Sequence, residues 1–184
     1  MGDADLIARQ DALQREAAEV LTTLGPLFQE LGPPLVTGSF VSGLMVWRDL
    51  DVMVLGGPDF GPADVLALIG RALTMPGLTG FEYADERGND GPDRRYHLAL
   101  RLGQWRVDLS IWLQHDHAGV TRFHERLRDT LTPDQRMTIL RIKDEWHRRP
   151  EYPDEVSGFE IYTAVLDHGI RTPAEFGDWL ASRS

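Results

Sequence analysis

The sequence has no cysteine at any of its 184 positions. The chain therefore cannot form a disulfide bond, a thiolate nucleophile or a cysteine-ligated zinc site, and any metal must be held by oxygen or imidazole ligands. The sequence also has no run of about 18 uncharged apolar residues, the minimum that predicts a membrane-spanning helix. Its N-terminus lacks the basic-then-apolar order of a signal peptide. These features predict a cytoplasmic location.

Positive charge is also scarce, with 19 lysines and arginines against 29 acidic residues and a formal net charge of −10. Nucleic-acid binding draws much of its affinity from cations that neutralise phosphates. The charge balance therefore disfavours a long DNA or RNA partner and favours a small cationic one. A length of 184 residues and a hydrophobic content of 42% are enough for one substantial core.

Hydrophobic periodicity predicts both helices and strands. Apolar residues three or four apart predict an amphipathic helix over residues 4–24, which Gly25-Pro26 is expected to break or kink. A second helix is expected to begin at Pro62. The predicted strands are 35–37, the segment that begins at Asp49, 78–83, 96–102 and 105–112. Residues 84–95 read as a polar loop, and about four helices are expected after residue 118. Two of these helices have predicted capped starts, at Thr132-Pro133-Asp134-Gln135 and at Thr172-Pro173-Ala174-Glu175.

The last two strands flank Gly103-Gln104, a pairing that predicts a β-hairpin. In the second strand Asp108 alternates with apolar residues that share the opposite face of the sheet. Those apolar residues are Trp105, Val107, Leu109 and Ile111. Asp108 is therefore predicted at mid-strand on the polar face.

Asp49 and Asp51 are two residues apart on a strand, so both point from one face, with Cα atoms about 6.5 to 7 Å apart. Two close carboxylates raise each other's pKa. A magnesium ion removes this conflict because it accepts oxygen ligands. The alternative is a pair of exposed aspartates on an edge strand.

Gly38-Ser39 follows a short predicted strand and is nine residues before Asp49. A glycine lets backbone amides approach phosphate oxygens, a serine hydroxyl can donate to them, and a helix N-terminus adds partial positive charge. The alternative is an ordinary strand-to-helix turn.

Taken together, Gly38-Ser39, the nine-residue spacer, Asp49-Leu50-Asp51-Val52 and the later Asp108 resemble the motif of the nucleotidyltransferase superfamily. This superfamily includes DNA polymerase beta and the enzymes that adenylylate aminoglycosides and lincosamides. The likeness covers roughly residues 34–113. It implies an α/β (α+β) fold in which a mixed sheet is flanked by helices and followed by a C-terminal helical bundle. The catalytic domain would span residues 1–115 and the helical region 116–184.

The resemblance also implies a chemistry. Asp49, Asp51 and Asp108 would be the catalytic residues and would hold two Mg²⁺ ions, and Gly38 and Ser39 would hold the triphosphate of an NTP, with ATP preferred. An acceptor hydroxyl would attack the α-phosphorus and release pyrophosphate. Either Asp108 or a carboxylate of the tail would take the hydroxyl proton. The acidic surface favours a small, cationic, aminoglycoside-like acceptor, hence a role in antibiotic resistance.

The sequence departs from this family at two places. Arg48 stands where serine often precedes the first aspartate, and the segment after Ser39 lacks a frequent arginine. Four arginines are candidates for neutralising the triphosphate: Arg48, Arg94, Arg95 and Arg106. We interpret His115-Asp116-His117 as turn residues rather than zinc ligands, since no third ligand follows at a diagnostic spacing. Among the aromatics of the tail, Tyr152 is the strongest candidate for stacking on a base or sugar.

Several alternatives stay open at this point. The chain could be a catalytically silent nucleotide-binding or antitoxin-like module, or an enzyme that modifies a protein. The charge disfavours a template-directed polymerase. The sequence does not decide which NTP is used, nor whether a second copy completes the pocket as a homodimer.

Overall fold

The structure, a computed structural model, describes residues 2–29, 31–88, 94–114, 118–153 and 155–183. Helices and strands follow in this order: α1 (Asp3–Phe28), β1 (Leu35–Val36), α2 (Gly38–Ser42), β2 (Asp49–Leu55), α3 (Pro62–Ala72), β3 (Leu78–Asp85), β4 (Arg95–Leu102), β5 (Trp105–Trp112), α4 (Ala118–Thr130), α5 (Pro133–Trp146), α6 (Gly158–Asp167) and α7 (Pro173–Ala181). Within the described residues, no helix combines the length and the apolar character needed to cross a bilayer.

The chain divides into two compact units that interleave along the sequence. The sheet unit comprises Gln14–Gly43 and Arg48–Arg128. The helical unit comprises Met1–Leu13, Leu44–Trp47 and Asp129–Ser184. The expected division into residues 1–115 and 116–184 stays a prediction.

The sheet has five strands in the order β1-β2-β5-β4-β3. Strands β2 and β5 are parallel neighbours, and every other neighbouring pair is antiparallel. The expected mixed sheet flanked by helices is therefore confirmed. The predicted hairpin is also present, because Leu102 pairs with Trp105 across Gly103-Gln104. Gly103 has φ +57°, a conformation that suits the first central position of a two-residue turn.

The three central strands separate an apolar face from a polar one. Side chains on the apolar face are almost completely buried, and they include Leu50, Val52, Leu98, Leu100, Val107, Leu109 and Ile111. In α3, Val65, Leu68 and Ala72 are buried at helical spacing. Full burial of such a side chain contributes about 1.5–3 kcal/mol each, so this pattern fixes which face of each strand points to the core. The alternating aspartates are thereby left on the other face.

In the helical unit, side-chain caps mark the helix starts that the sequence predicts. The hydroxyl of Thr132 accepts a hydrogen bond from the Gln135 amide at α5, and that of Thr172 accepts one from the Glu175 amide at α7. Such caps contribute about 1 kcal/mol each. The expectation of four helices after residue 118 is confirmed.

Of the two expectations for Gly25-Pro26, the break is wrong, since α1 continues through Pro26 to Phe28, and the kink stays a prediction. Proline costs a helix one hydrogen bond and creates a clash one turn earlier. Here Leu24, Leu27 and Phe28 are buried, which gives this last turn tertiary packing that outweighs the local penalty.

The loop predicted at 84–95 is shorter at both ends, because β3 extends to Asp85 and β4 begins at Arg95. Residues 89–93 of that loop lie outside the described residues, and so does the triplet His115-Asp116-His117.

Candidate metal and nucleotide site

Three carboxylates meet on the polar face of the sheet where β2 and β5 run side by side. Asp51 is the register partner of Asp108, and Asp49 is the partner of Arg106. One carboxylate oxygen from each of Asp49, Asp51 and Asp108 lies within 4.8 Å of the other two. All three side chains are half-buried. The structure thus brings together the three aspartates that the sequence singles out, although 57 positions separate Asp51 from Asp108 in the chain.

Asp108 is held by two neighbours on the same face. Nε2 of His97 lies 3.2 Å from its Oδ1. Arg106 donates from Nε to Oδ2 at 2.9 Å and from Nη2 to Oδ1 at 3.1 Å. Burial raises the pKa of the Asp108 carboxyl, but the hydrogen bonds from His97 and Arg106 outweigh this effect and hold the pKa below its ordinary value. Asp108 is therefore an anionic oxygen donor at neutral pH and a weak proton acceptor.

Gly38, the first residue of α2, lies against the carboxylate of Asp51. Its φ is +68°, a conformation that L side chains rarely adopt. A Cβ at this position would come within 1.9 Å of Oδ2 of Asp51. No side chain fits in that space, so a residue other than glycine would have to displace the carboxylate. The backbone at the start of α2 can approach the carboxylates only because this residue is glycine.

Thr37 adds a hydroxyl next to this glycine. Its amide donates to the carbonyl of Asp51 at 3.0 Å, which continues the pairing between β1 and β2 by one residue. Directly opposed residues of an antiparallel pair point to the same face, so the side chain of Thr37 lies on the face of Asp51. Its Oγ1 is buried and makes no hydrogen bond with any residue that the structure describes.

These donors fit a hard divalent cation. Three carboxylates and an adjacent hydroxyl are all oxygen ligands, which Mg²⁺ prefers, and no softer ligand from the described part of the chain belongs to the group. A cation would also offset the repulsion among three like charges. Ser39 lies in the first turn of α2 and is buried. Phosphate binding by Gly38 and Ser39 stays a prediction.

Of the four candidate arginines, Arg106 forms hydrogen bonds with an aspartate of the cluster, Asp108. Arg48 forms an ion pair with Glu16 at 2.9 Å. Arg95 pairs with Glu86 and lies 4.8 Å from the ring centroid of Trp112. Arg94 donates to the carbonyl of Arg87 at 3.0 Å.

Sequence reasoning missed His97 and Thr37. A signal for His97 was present, because a two-residue turn at Gly103-Gln104 fixes the hairpin register and places His97 opposite Ser110, on the face of Asp108. Thr37 could not be found in this way, since its pairing with Asp51 depends on which strand lies beside β2.

Of the tail aromatics, Trp146 and Tyr162 are buried core residues. Tyr152 is half-buried and makes an edge contact with Trp47, with ring centroids 6.1 Å apart. Trp179 is also half-buried and stacks on Phe176. No contact described here assigns a ligand to Tyr152.

No protein-family model matches the sequence, and no curated protein matches it either. Solved structures do match. The Cid1 poly(U) polymerase with Mg and 3′-dATP bound has a TM-score of 0.63 and 16% identity, over 85% of this chain and 49% of its own. A cytoplasmic RNA terminal U-transferase has a TM-score of 0.60 and 18% identity, over 85% of this chain and 48% of its own.

A third match is the non-canonical poly(A) polymerase complex GLD-2–GLD-3. It has a TM-score of 0.61 and 13% identity, over 89% of this chain and 56% of the matched chain. The present chain thus spans about half the length of these proteins. Sequence identities this low establish the architecture alone. The chain therefore shares the fold of these matched structures, and three clustered aspartates lie on the polar face of its sheet.

Proposed function

We propose that this chain is a magnesium-dependent nucleotidyltransferase that moves a nucleoside monophosphate from an NTP to an acceptor hydroxyl. One observation supports this proposal most directly. The oxygens of Asp49, Asp51 and Asp108 cluster within 4.8 Å beside a glycine at which any Cβ would collide with the Asp51 carboxylate. This arrangement can hold cations and admit a phosphate chain in one place.

Each residue of the cluster has a role in this reaction. Asp49, Asp51 and Asp108 would hold two Mg²⁺ ions, which supply charge stabilisation at the attacking and leaving oxygens when bound. Gly38 and Ser39 would bind the triphosphate of an NTP, with ATP as the proposed donor. A bond forms between the acceptor oxygen and the α-phosphorus, the bond from the α-phosphorus to the bridging oxygen breaks, and pyrophosphate leaves. Because the pKa of Asp108 is lowered, we assign its carboxylate to orientation of the acceptor, and the proton of the acceptor hydroxyl leaves to a water molecule.

The acceptor that we propose is a small hydroxylated molecule, with cationic compounds favoured. The support is the net charge of −10, which attracts cations and opposes a long polyanion. An aminoglycoside-like antibiotic is one member of this class, and no similarity described above points to it in particular.

An RNA 3′ end is a second candidate acceptor, and a specific observation favours it. The similar structures are named as a poly(U) polymerase, an RNA terminal U-transferase and a poly(A) polymerase. The chain spans about half the length of each of these proteins.

One assay separates these possibilities. The protein is incubated with Mg²⁺ and each α-labelled NTP, with either a panel of hydroxylated amines or a short RNA with a free 3′-hydroxyl. We expect a labelled small product together with pyrophosphate, and neither with Asp49→Asn. Labelled RNA would indicate that the acceptor is an RNA 3′ end and not a small molecule. Label on the polypeptide would indicate a protein-modifying enzyme, and binding of NTP without any transfer would indicate a silent module.

A further inference from the structure

Arg106 is hydrogen-bonded to Asp108, one of the three carboxylates of the proposed cation site. Its guanidinium contacts both oxygens of Asp108, from Nε to Oδ2 at 2.9 Å and from Nη2 to Oδ1 at 3.1 Å. The two residues are alternate positions of β5, so both side chains lie on the polar face. The side chain of Asp108 is 19% exposed and that of Arg106 is 39% exposed. Solvent therefore screens this pair only in part.

Arg106 is also close to the other strand of the cluster. It is the register partner of Asp49 on β2. A guanidinium cannot be deprotonated in a protein, so Arg106 stands as a permanent positive charge beside the carboxylates that would hold a metal.

His97 does not compete in the same way. Its Nε2 contacts Oδ1 of Asp108, and an imidazole donates a hydrogen bond without needing a full charge. Oδ2 is contacted by Nε of Arg106. An incoming cation therefore meets Arg106 at the second oxygen, and two positive groups cannot share one carboxylate oxygen without a cost.

We propose that Arg106 is a resident counter-cation of this site, which a divalent metal must displace from Asp108 before the site is loaded. Arg106 then lowers the metal affinity of the free protein and leaves Asp108 when the metal binds. This inference rests on the proposed function, since it assumes that Asp49, Asp51 and Asp108 bind metal. It is the opposite of a pure positioning role, in which Arg106 would orient Asp108 and strengthen metal binding.

The chain offers a matched control. Arg101 on β4 is the register partner of Arg106, lies on the same face and pairs with Glu82 instead of with the cluster. Replacing either arginine by glutamine removes one positive charge from this face. Only the replacement at position 106 removes the guanidinium contact from Asp108. The two variants therefore separate local competition from a general change in electrostatic potential.

The test is a titration of Mn²⁺, without nucleotide, into the wild-type protein and into Arg106→Gln, Arg106→Lys and Arg101→Gln. Circular dichroism and the melting temperature confirm that each variant is folded. We expect Arg106→Gln to lower the dissociation constant for Mn²⁺ about tenfold, which corresponds to about 1.4 kcal/mol. Arg106→Lys keeps the charge but loses the two-pronged contact, so its Mn²⁺ affinity should lie between that of the wild type and that of Arg106→Gln. Arg101→Gln should change the dissociation constant by less than about twofold.

Each result has a definite meaning. Unchanged or weaker binding by Arg106→Gln, with wild-type binding intact, overturns the counter-cation role and leaves the proposed function standing. Equal strengthening by Arg101→Gln also overturns it, because the effect would then be one of total charge. If neither the wild type nor any variant binds Mn²⁺, the metal site itself is refuted, and this inference is refuted with it. Should Arg106→Gln fail to fold, Arg106→Lys decides the question by the same comparison.

Discussion

Asp51 and Asp108 are direct register partners on the parallel strands β2 and β5. Neighbouring strands are about 4.8 Å apart, so this pairing holds two carboxylates at a separation that one cation can bridge. Asp49 adds a third oxygen from the next position on the same face. The close placement of these carboxylates therefore causes both their mutual repulsion and their capacity to bind a metal.

The contact between Gly38 and Asp51 predicts the effect of a single methyl group. In Gly38→Ala the Cβ would lie 1.9 Å from Oδ2 of Asp51, so the carboxylate must move and metal-dependent NTP binding should fall at least about a hundredfold. Gly57→Ala is the matched control, because Gly57 also has a positive φ, of +84°, but has open space around its Cβ position. Both variants bear backbone strain, and only the first should lose binding by calorimetry. Equal losses would contradict the role given to Gly38.

Removing a charge from the cluster should separate stability from metal response. Asp51→Asn relieves repulsion, so the metal-free variant should melt at or above the wild-type temperature. The wild type should gain about 2.7 kcal/mol when the metal is present at about 100 times its dissociation constant, and the variant should not gain it. Differential scanning calorimetry with and without Mg²⁺ measures both effects. Asp59→Asn, at an exposed aspartate, should respond to metal like the wild type.

His97 should act by holding Asp108. Loss of a side chain that orients a metal ligand typically costs 10- to 100-fold in affinity or activity, and we expect a loss of this size for His97→Phe. His97→Asn, whose amide is also a donor, should recover part of the activity. His168→Phe, at an exposed histidine, serves as the control. A His97→Phe variant with wild-type activity and metal affinity would rule out this positioning role.

The lowered pKa of His147 should make the stability of the fold depend on pH. Burial lowers the pKa of its imidazole from the ordinary 6.5, against the raising effect of the hydrogen bond with the Lys143 carbonyl at 3.0 Å. Between the lowered value and 6.5 the unfolded chain binds more protons than the folded one, so stability is present above about pH 6.5 and is lost as the pH falls through this window. Urea unfolding at several pH values from 5 to 8 should show this loss. His147→Asn should show a flatter profile, and an equally steep one would contradict the assignment.

Much of the fold could be predicted because local signals and packing agree. The alternation of Trp105, Val107, Leu109 and Ile111 with polar residues correctly placed Asp108 on the polar face. The capping residue Thr132 marked the start of α5. Gly25-Pro26 misled because the buried residues around it stabilise a turn that the local sequence opposes. The predicted cytoplasmic location stays a prediction.

The site could be predicted only in part. The spacing of Gly38-Ser39 and the three aspartates identified the residues, but not their arrangement. In the chain β2 is followed by β3, but in the sheet β2 lies beside β5. This strand order is a property of the whole sheet. The close approach of Gly38 to Asp51 and the contact of Arg106 with Asp108 depend on this strand order and on rotamers, which no local pattern encodes.

We infer that the three aspartates form a metal-dependent nucleotide site. The most direct test is calorimetric titration of ATP, GTP, CTP and UTP into the wild type and Asp49→Asn, each with Mg²⁺ and with EDTA. We expect at least one nucleotide to bind the wild type with Mg²⁺, and we expect this binding to be lost both in EDTA and in the variant. Binding of no nucleotide, or binding of equal strength in EDTA and in Asp49→Asn, would contradict it.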